Sequence, residues 1–226
     1  WNTLTVEDAE AIRGLSAVES ISPSVSARAQ VVYNAKNWNT SIQGVGESYP
    51  DVRKWEISSG VFFDESHVRS AAKVAVLGAD LVTNLFDGED PVGKTIRIKR
   101  VPFVVIGVLK SKGQSGGFGS RDDMICIPYT TCMKRIQKAE FVGSIDVSAV
   151  SLTRTAEAKA QIEDLLRERH RIAPGAADDF TVSDMAEIAE GAADATNILT
   201  ILLGSIASIS LLVGGIGIMN IMLVSV

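Results

Sequence analysis

Residues Thr196–Val226 read TNILTILLGSIASISLLVGGIGIMNIMLVSV, a stretch without a charged residue or a proline. A bilayer core about 30 Å thick is crossed by roughly 20 apolar helical residues, and this stretch is longer than that. The residues before it mix charged, polar and apolar positions, as water-soluble domains do. The sequence therefore predicts a soluble domain that continues directly into a membrane helix.

Small and polar residues inside the apolar stretch predict that this helix packs against other helices. Small side chains let helices approach closely, and an amide in an apolar span needs a hydrogen-bonding partner. A simple membrane anchor is the alternative, although an anchor would not need a cluster of glycines. The residues predicted to pack within the membrane are Gly204, Ser208, Gly214, Gly215, Gly217 and Asn220.

A second helical pattern precedes the apolar stretch, so we expect one long helix over residues 183–226. Apolar residues recur at spacings of three and four, which is typical of a helix that pairs with a copy of itself. At 1.5 Å per residue the helix would be roughly 65 Å long, and its first half would stand outside the membrane as a stalk. The predicted dimer seam is formed by Met185, Ile188, Ala192, Ala195 and Leu199.

Composition limits the function classes. The net charge is −5, and no basic stripe interleaves with aromatic residues, so nucleic acid is not an expected partner. Residues 1–10 contain no basic region followed by an apolar one, so no signal peptide is expected there. No Lys or Arg follows Arg171, which places the domain on the outer side of the membrane. A chain that stops within an apolar helix suggests a segment of a longer protein.

The soluble part predicts an α+β fold with two subdomains. A helix capped by Thr5 and two extended segments precede a break at Gly46, and a similar strand-then-helix pattern resumes after Ser144. Between them lies a region of short strands and helices with its own hairpin. We therefore predict one α/β subdomain from residues 1–46 and 139–182, with a second α/β subdomain, residues 47–138, inserted into it.

Residues Gly88–Thr95 read GEDPVGKT and match the P-loop pattern G-x-x-x-x-G-K-[ST]. A P-loop needs a helix after this motif, so that amide groups face the phosphates. Here the chain continues as TIRIK (95–99), which alternates as a strand does. Glu89 and Asp90 would also repel phosphate, and Pro91 lacks an amide hydrogen. The sequence predicts a polar turn that enters a strand, and no nucleotide site.

No other catalytic or metal-binding pattern is present, so we predict no catalytic, cofactor-binding or metal site in this chain. Cys126 and Cys132 cannot hold a metal alone, and two unlinked thiols are favoured over a disulfide. The paired aspartates at 122–123 and 178–179 are interpreted as solvated turn residues. The glycine-rich segment 113–119 is interpreted as a hairpin tip rather than an anion cradle, because no helix follows it.

Several motifs together resemble one family. The run ISLLVGGIGIMNIMLVSV (Ile209–Val226) is similar to the second membrane helix of MacB-type ABC transporter permeases, in the superfamily that includes FtsX- and LolE-like proteins. Residues Leu4–Ser26, LTVEDAEAIRGLSAVESISPSVS, resemble the start of their periplasmic domain. The turn-and-strand DPVGKTIRI (Asp90–Ile98) and the junction IPYTT (Ile127–Thr131) resemble segments of the same family.

The resemblance implies an anatomy and a function. It implies a porter-like periplasmic subdomain (1–46 and 139–182), an inserted subdomain called Sabre (47–138), and a bacterial inner-membrane location. It implies a homodimer of permease subunits, or a heterodimer in the lipoprotein-releasing branch, whose ATP and Mg²⁺ bind a nucleotide-binding domain elsewhere. Motion passes through a stalk to the periplasmic halves, and in exporting branches a periplasmic membrane-fusion adaptor and a TolC-like outer-membrane protein are further partners.

A membrane-anchored extracytoplasmic domain that senses a ligand is the alternative from another class. Such a domain would need a concave pocket within one domain and no adaptor. An enzyme ectodomain is a third hypothesis, and the lack of a catalytic motif argues against it. The transported cargo, whether drug, peptide, toxin or lipoprotein, is not specified by any residue pattern in this chain.

Overall fold

The computed structural model describes residues 3–113 and 120–224, without the side chains of 186–194, 212–213, 217–218 and 220–224. The chain consists of two compact units, and the boundary between them in the sequence lies between Thr181 and Val182. The first unit is an α+β domain and the second is one helix, α7 (Met185–Val224). The predicted α+β class is therefore confirmed.

The first unit contains eight strands and six helices among the described residues. The short helix Tyr129–Thr131 continues into a π-helical segment, Cys132–Gln137. A single 3₁₀ turn, Leu152–Arg154, precedes the helix that begins at Thr155. The strands are β1 (Val18–Tyr33), β2 (Lys36–Val45), β3 (Ile57–Gly60), β4 (Val74–Leu77), β5 (Thr95–Ile98), β6 (Val101–Leu109), β7 (Met124–Pro128) and β8 (Ser144–Ala149). The helices are α1 (Val6–Arg13), α2 (Tyr49–Arg53), α3 (Glu65–Arg69), α4 (Ala79–Phe86), α5 (Tyr129–Thr131) and α6 (Thr155–Arg169).

Strand β1 organises the sheet because it has three partners. Along one edge it pairs with β2 as a hairpin from Ser24 to Tyr33. Along the other edge its first half pairs with β8, and Val31 and Val32 pair with β5. The remaining pairings run from β2 through β7, β4 and β6 to β5, so six strands form a closed ring. The edge strands β3 and β8 attach to β6 and β1.

Residue alternation explains why β1 faces the core along its second half. From Val25 to Val31 buried apolar residues alternate with more exposed ones, which is the pattern of a strand with one covered face.

Thr5 caps α1 through a capping box with Asp8, so this helix begins where the sequence predicts it. The predicted hairpin of β5 and β6 is also present, with Thr95 opposite Val104.

One apolar core joins the two parts that the sequence suggested as separate subdomains. Val31 and Ile42, from the first part, are fully buried in a cluster with Leu77, Ile96 and Phe103 from the inserted part. The two predicted subdomains therefore do not have separate cores, because strands of both parts complete the same ring. The boundaries at 46/47 and 138/139 stay a prediction about family anatomy.

The shared core predicts that the inserted part cannot be removed. Joining Gly46 to Glu140 through a short Gly/Ser linker deletes β3 to β7 and exposes the inner face of β1 and β2. We expect the remainder to lose its cooperative thermal transition, as measured by circular dichroism of the chain in detergent. A remainder that still melts cooperatively with native near-ultraviolet signal would contradict the shared core.

Candidate functional site

Helix α7 presents the largest apolar surface of the described chain. Its candidate membrane span is Ala195–Ile216, with a mean hydropathy of 2.1 and no burial within the chain. Ile201 is 63% exposed and Leu211 is 79% exposed. Soluble proteins rarely leave so large a continuous apolar surface in water, so this surface requires lipid or another protein.

Hydroxyl groups of α7 are satisfied within the helix. The Oγ1 of Thr200 donates to the carbonyl of Thr196, at 2.9 Å. The Oγ atoms of Ser205 and Ser208 donate to the carbonyls four residues earlier, at 2.8 Å each. A hydroxyl bonded in this way can enter an apolar medium at little cost, which suits a membrane span.

The residues predicted to pack within the membrane lie in this helix. An added Cβ at Gly204, Gly214 or Gly215 would meet no atom within 4 Å, so these positions are open to a neighbouring helix. Ser208 is exposed as well. Gly217 and Asn220 fall outside the residues whose side chains are described.

The predicted dimer seam lies partly outside the described side chains. Met185 and Leu199 are 70% and 58% exposed, and Ala195 is also exposed. Ile188 and Ala192 belong to the undescribed group, although the backbone there is helical. The described seam residues are thus uncovered within this chain, and their pairing with a second subunit stays a prediction.

The segment that resembles a P-loop is a turn of the sheet. Lys94 is followed by β5, and the Lys94 carbonyl accepts a hydrogen bond from the amide of Val105 at 2.9 Å. The Lys94 ammonium lies 2.8 Å from the Glu89 carboxylate and over the rings of Tyr33 and Phe86. The predicted turn is confirmed, because no helix offers its amino-terminal amides here.

Both cysteines are free and buried. Burial raises the pKa of the Cys126 thiol to about 12 and that of Cys132 to about 11, so both stay protonated at neutral pH. Cys132 packs against β2, where a Cβ added at Gly44 would lie only 2.4 Å from the Cβ of Cys132. The thiols therefore fill the core. Among the described residues no group of three or more His, Cys, Asp and Glu is placed to hold a metal.

Asp122 organises the base of the glycine-rich segment. It is 2% exposed, and its carboxylate accepts hydrogen bonds from the amides of Lys112 and Gly113 at 2.9 and 3.1 Å. The Ser111 hydroxyl donates to it at 2.5 Å. Burial alone would raise the pKa of Asp122, but these hydrogen bonds outweigh it and lower the pKa. Residues 114–119 lie outside the described part.

The interpretation of Asp122 as a solvated turn residue is therefore wrong. A carboxylate that accepts several backbone hydrogen bonds is satisfied away from water, and paired turn aspartates give no sequence signal for this. Asp178 and Asp179 are also engaged, with Arg167 and His170 respectively. Unlike Asp122, both side chains remain in contact with water, since that of Asp178 is 36% exposed and that of Asp179 is 32% exposed.

Comparison with protein families gives a match over most of the chain. The family model described as the MacB-like periplasmic core domain matches residues 1–165. The macrolide export ATP-binding/permease protein MacB of Wolinella succinogenes is 40% identical over 224 residues, which is 99% of this chain and 34% of that protein. The protein of the same name from Bdellovibrio bacteriovorus is 39% identical, with coverage of 99% and 34%. The chain thus spans about a third of the length of these relatives.

Solved structures match the soluble part. The periplasmic region of MacB from Actinobacillus actinomycetemcomitans superposes with a TM-score of 0.67 at 26% identity, covering 76% of each chain. The extracellular domain of the noncanonic ABC-type transporter YknZ, from Gram-positive bacteria, gives a TM-score of 0.65 at 20% identity. That match covers 74% of this chain and 84% of YknZ, and it indicates a shared fold.

Asp122→Asn tests the loop base. The substitution removes the buried charge that the amides of Lys112 and Gly113 face, so we expect the free energy of unfolding to fall by about 1–3 kcal/mol. The amides of Lys112 and Gly113 should also exchange faster with solvent. Asp164→Asn on the exposed face of α6 is the matched control and should change stability by less than about 0.5 kcal/mol. Equal effects of the two substitutions would contradict the role of Asp122.

Lys94→Ala tests the absence of a nucleotide site. Titration calorimetry with Mg-ATP should give no binding heat for either the parent chain or the variant, because Lys94 is paired with Glu89 and precedes a strand. A micromolar affinity in the parent that is lost in Lys94→Ala would show that the turn binds nucleotide.

Proposed function

This chain belongs to the family of MacB-like periplasmic core domains, and we propose that it couples cytoplasmic ATP hydrolysis to a conformational change outside the membrane. It would do so as the extracytoplasmic domain of an ABC transporter permease. The observation that carries the proposal is the fully exposed apolar span Ala195–Ile216, which follows the soluble domain in the same chain. Relatives named as ATP-binding permeases match across both parts.

In this proposal the chain itself does no chemistry. ATP and Mg²⁺ bind a nucleotide-binding domain outside this segment, which is supported by the small share of the relatives that the chain covers. The described residues would transmit movement. A domain with one shared core would move as a unit, and a continuous helix would transmit displacement along its axis. Such coupling is mechanotransmission, rather than passage of cargo through the membrane span.

The partners in this proposal follow from exposed surfaces and from the relatives. A second permease subunit, in a homodimer, would cover the seam of α7. A periplasmic adaptor and a TolC-like outer-membrane protein would carry cargo onward. The domain would lie in the periplasm and α7 in the inner membrane. A drug, peptide, toxin or lipoprotein is the proposed class of cargo, and the relatives' own names specify macrolide export.

A ligand-sensing ectodomain is the second candidate, and one observation bears on it. The described residues form a cleft beside β1, lined by residues that include Ser24, Ser26, Gln137 and Phe141. Its volume of about 280 Å³ lies just below the range usual for small-molecule sites. No charged side chain lines the cleft, so the transporter function is favoured.

Cysteine crosslinking in the full-length transporter tests the coupling. Ile188→Cys places a thiol on the predicted seam, and Glu190→Cys places one about 200° around the helix as the control. The two thiols of this chain, Cys126 and Cys132, are buried, so they contribute little background. We expect crosslinking between subunits at position 188 to exceed that at 190 and to increase when ATP is bound. Equal crosslinking at both positions, with or without ATP, would contradict a defined seam.

A further inference from the structure

His170 connects three parts of the soluble domain. It is the residue that ends α6, and its side chain is only 11% exposed. Its Nδ1 lies 2.9 and 3.0 Å from the two carboxylate oxygens of Asp179. Its Nε2 lies 3.2 Å from a carboxylate oxygen of Asp8, in α1. The imidazole therefore lies between two carboxylates from different segments.

This geometry selects the charged form of the ring. A carboxylate oxygen only accepts hydrogen bonds, so each ring nitrogen must carry a hydrogen for both contacts to be favourable. Only the imidazolium has both hydrogens, whereas the neutral ring would turn a lone pair toward Asp8 or Asp179. The carboxyl-terminal end of α6 also favours a positive charge at this position.

The carboxylates of Asp8 and Asp179 differ in how many other groups donate hydrogen bonds to them. Asp8 is 3% exposed and also accepts hydrogen bonds from Arg169 Nε, at 2.6 Å, and from the Thr5 amide and hydroxyl. Asp179 has His170 as the described side-chain partner of its carboxylate. Loss of the charge on His170 would thus leave Asp8 well satisfied and would release Asp179.

Asp179 belongs to the irregular segment 171–181, which precedes α7 in the chain. Besides the contact between His170 and Asp179, four kinds of contact hold this segment to the domain. Arg167 pairs with Asp178 and donates to the carbonyls of Ala173 and Ala176, Thr3 donates to the Asp179 carbonyl, and the Phe180 ring meets His170 edge-on. Among the described ion pairs of this segment, Arg167 with Asp178 and His170 with Asp179, only the second includes a side chain that can lose its charge near neutral pH.

We propose that His170 is a pH-responsive latch that, when charged, fastens segment 171–181 to the domain and, when neutral, releases it. The latch goes beyond the proposed function and does not depend on it, since it concerns local order in the chain itself. Where the proposed function also holds, the latch would set how firmly the domain is coupled to the residues that enter α7.

The pH window follows from the direction of each shift. Burial alone would lower the pKa of His170, but the hydrogen bonds with Asp179 and Asp8 outweigh it and raise the pKa above 6.5. The latch is therefore complete below about pH 6.5 and is lost as pH rises through the raised pKa. Burial would raise the pKa of Asp8, but hydrogen bonds from Arg169, Thr5 and His170 lower it to about 2, so Asp8 stays ionised throughout this range.

Hydrogen exchange of the full chain in detergent micelles tests the latch. Exchange of segment 171–181 is measured by mass spectrometry from about pH 6 to about pH 9 and corrected for the intrinsic rate. We expect protection there to fall toward the alkaline end, by up to roughly tenfold for each pH unit by which the pKa is raised. Protection in α1 and α6 should change little, because Arg169 and Thr5 keep Asp8 in place.

Two substitutions make the test specific. His170→Gln cannot acquire a charge, so protection of segment 171–181 should be low and independent of pH. His67→Gln is the matched control, because His67 also contacts an aspartate, Asp64, at 2.7 Å but lies exposed in α3. It should leave the pH dependence of the segment unchanged.

The ring itself supplies a second measurement. Nitrogen chemical shifts of the His170 imidazole should report a doubly protonated ring at about pH 6.5. The measurement is made on the His67→Gln variant, in which His170 is the only histidine of the chain. A neutral His170 ring at that pH would overturn the proposal. Protection of segment 171–181 that does not change with pH in the parent chain, or that changes equally in His170→Gln, would also overturn it.

Discussion

Strand β1 is the constraint on which the rest of the soluble domain depends. Because its 16 residues pair with β2, β5 and β8, one strand closes the six-stranded ring and also attaches the last strand of the domain. The alternation from Val25 to Val31 directs one face of β1 inward, where residues from β4, β5 and β6 complete the core. A slip of one residue would move this apolar face into water, so the register of the whole sheet depends on β1.

This architecture gives the proposed function a physical basis. A domain with one core resists internal bending, so a force applied at one end displaces the whole of it. Helix α7 is a single element of 40 residues, and its apolar part needs lipid or protein around it. His170 and Asp179 lie near the end of the domain's sequence, before α7, and His170 also contacts Asp8 in α1. The strength of these contacts sets how firmly that last segment is held.

Local signals were enough to predict most elements, whereas contacts between distant residues were not predictable. The capping box at Thr5, the alternation of TIRIK and the apolar run after Thr196 each depend on neighbours in sequence, and each gave the correct element. The shared core was missed because pairing of β1 with β5 joins residues more than 60 positions apart. Asp122 was misjudged because burial of a turn carboxylate depends on amides supplied by another segment, and the contact of Asp179 with His170 was missed because it also joins separate segments. The α7 seam, which includes Ile188 and Ala192, was inferred from spacing alone and stays a prediction.

Native-state hydrogen exchange across the ring tests the central claim, that residues up to Thr181 form one cooperative body. The slowest amides of β2, around Ile42, and of β4, around Val76, lie on opposite sides of the suggested subdomain boundary. If the core is shared, both sets exchange only through global unfolding and give the same opening free energy, with the same dependence on denaturant. A lower opening free energy for β4 to β7, while β1, β2 and β8 stay protected, would show that the inserted part unfolds independently and would contradict the account.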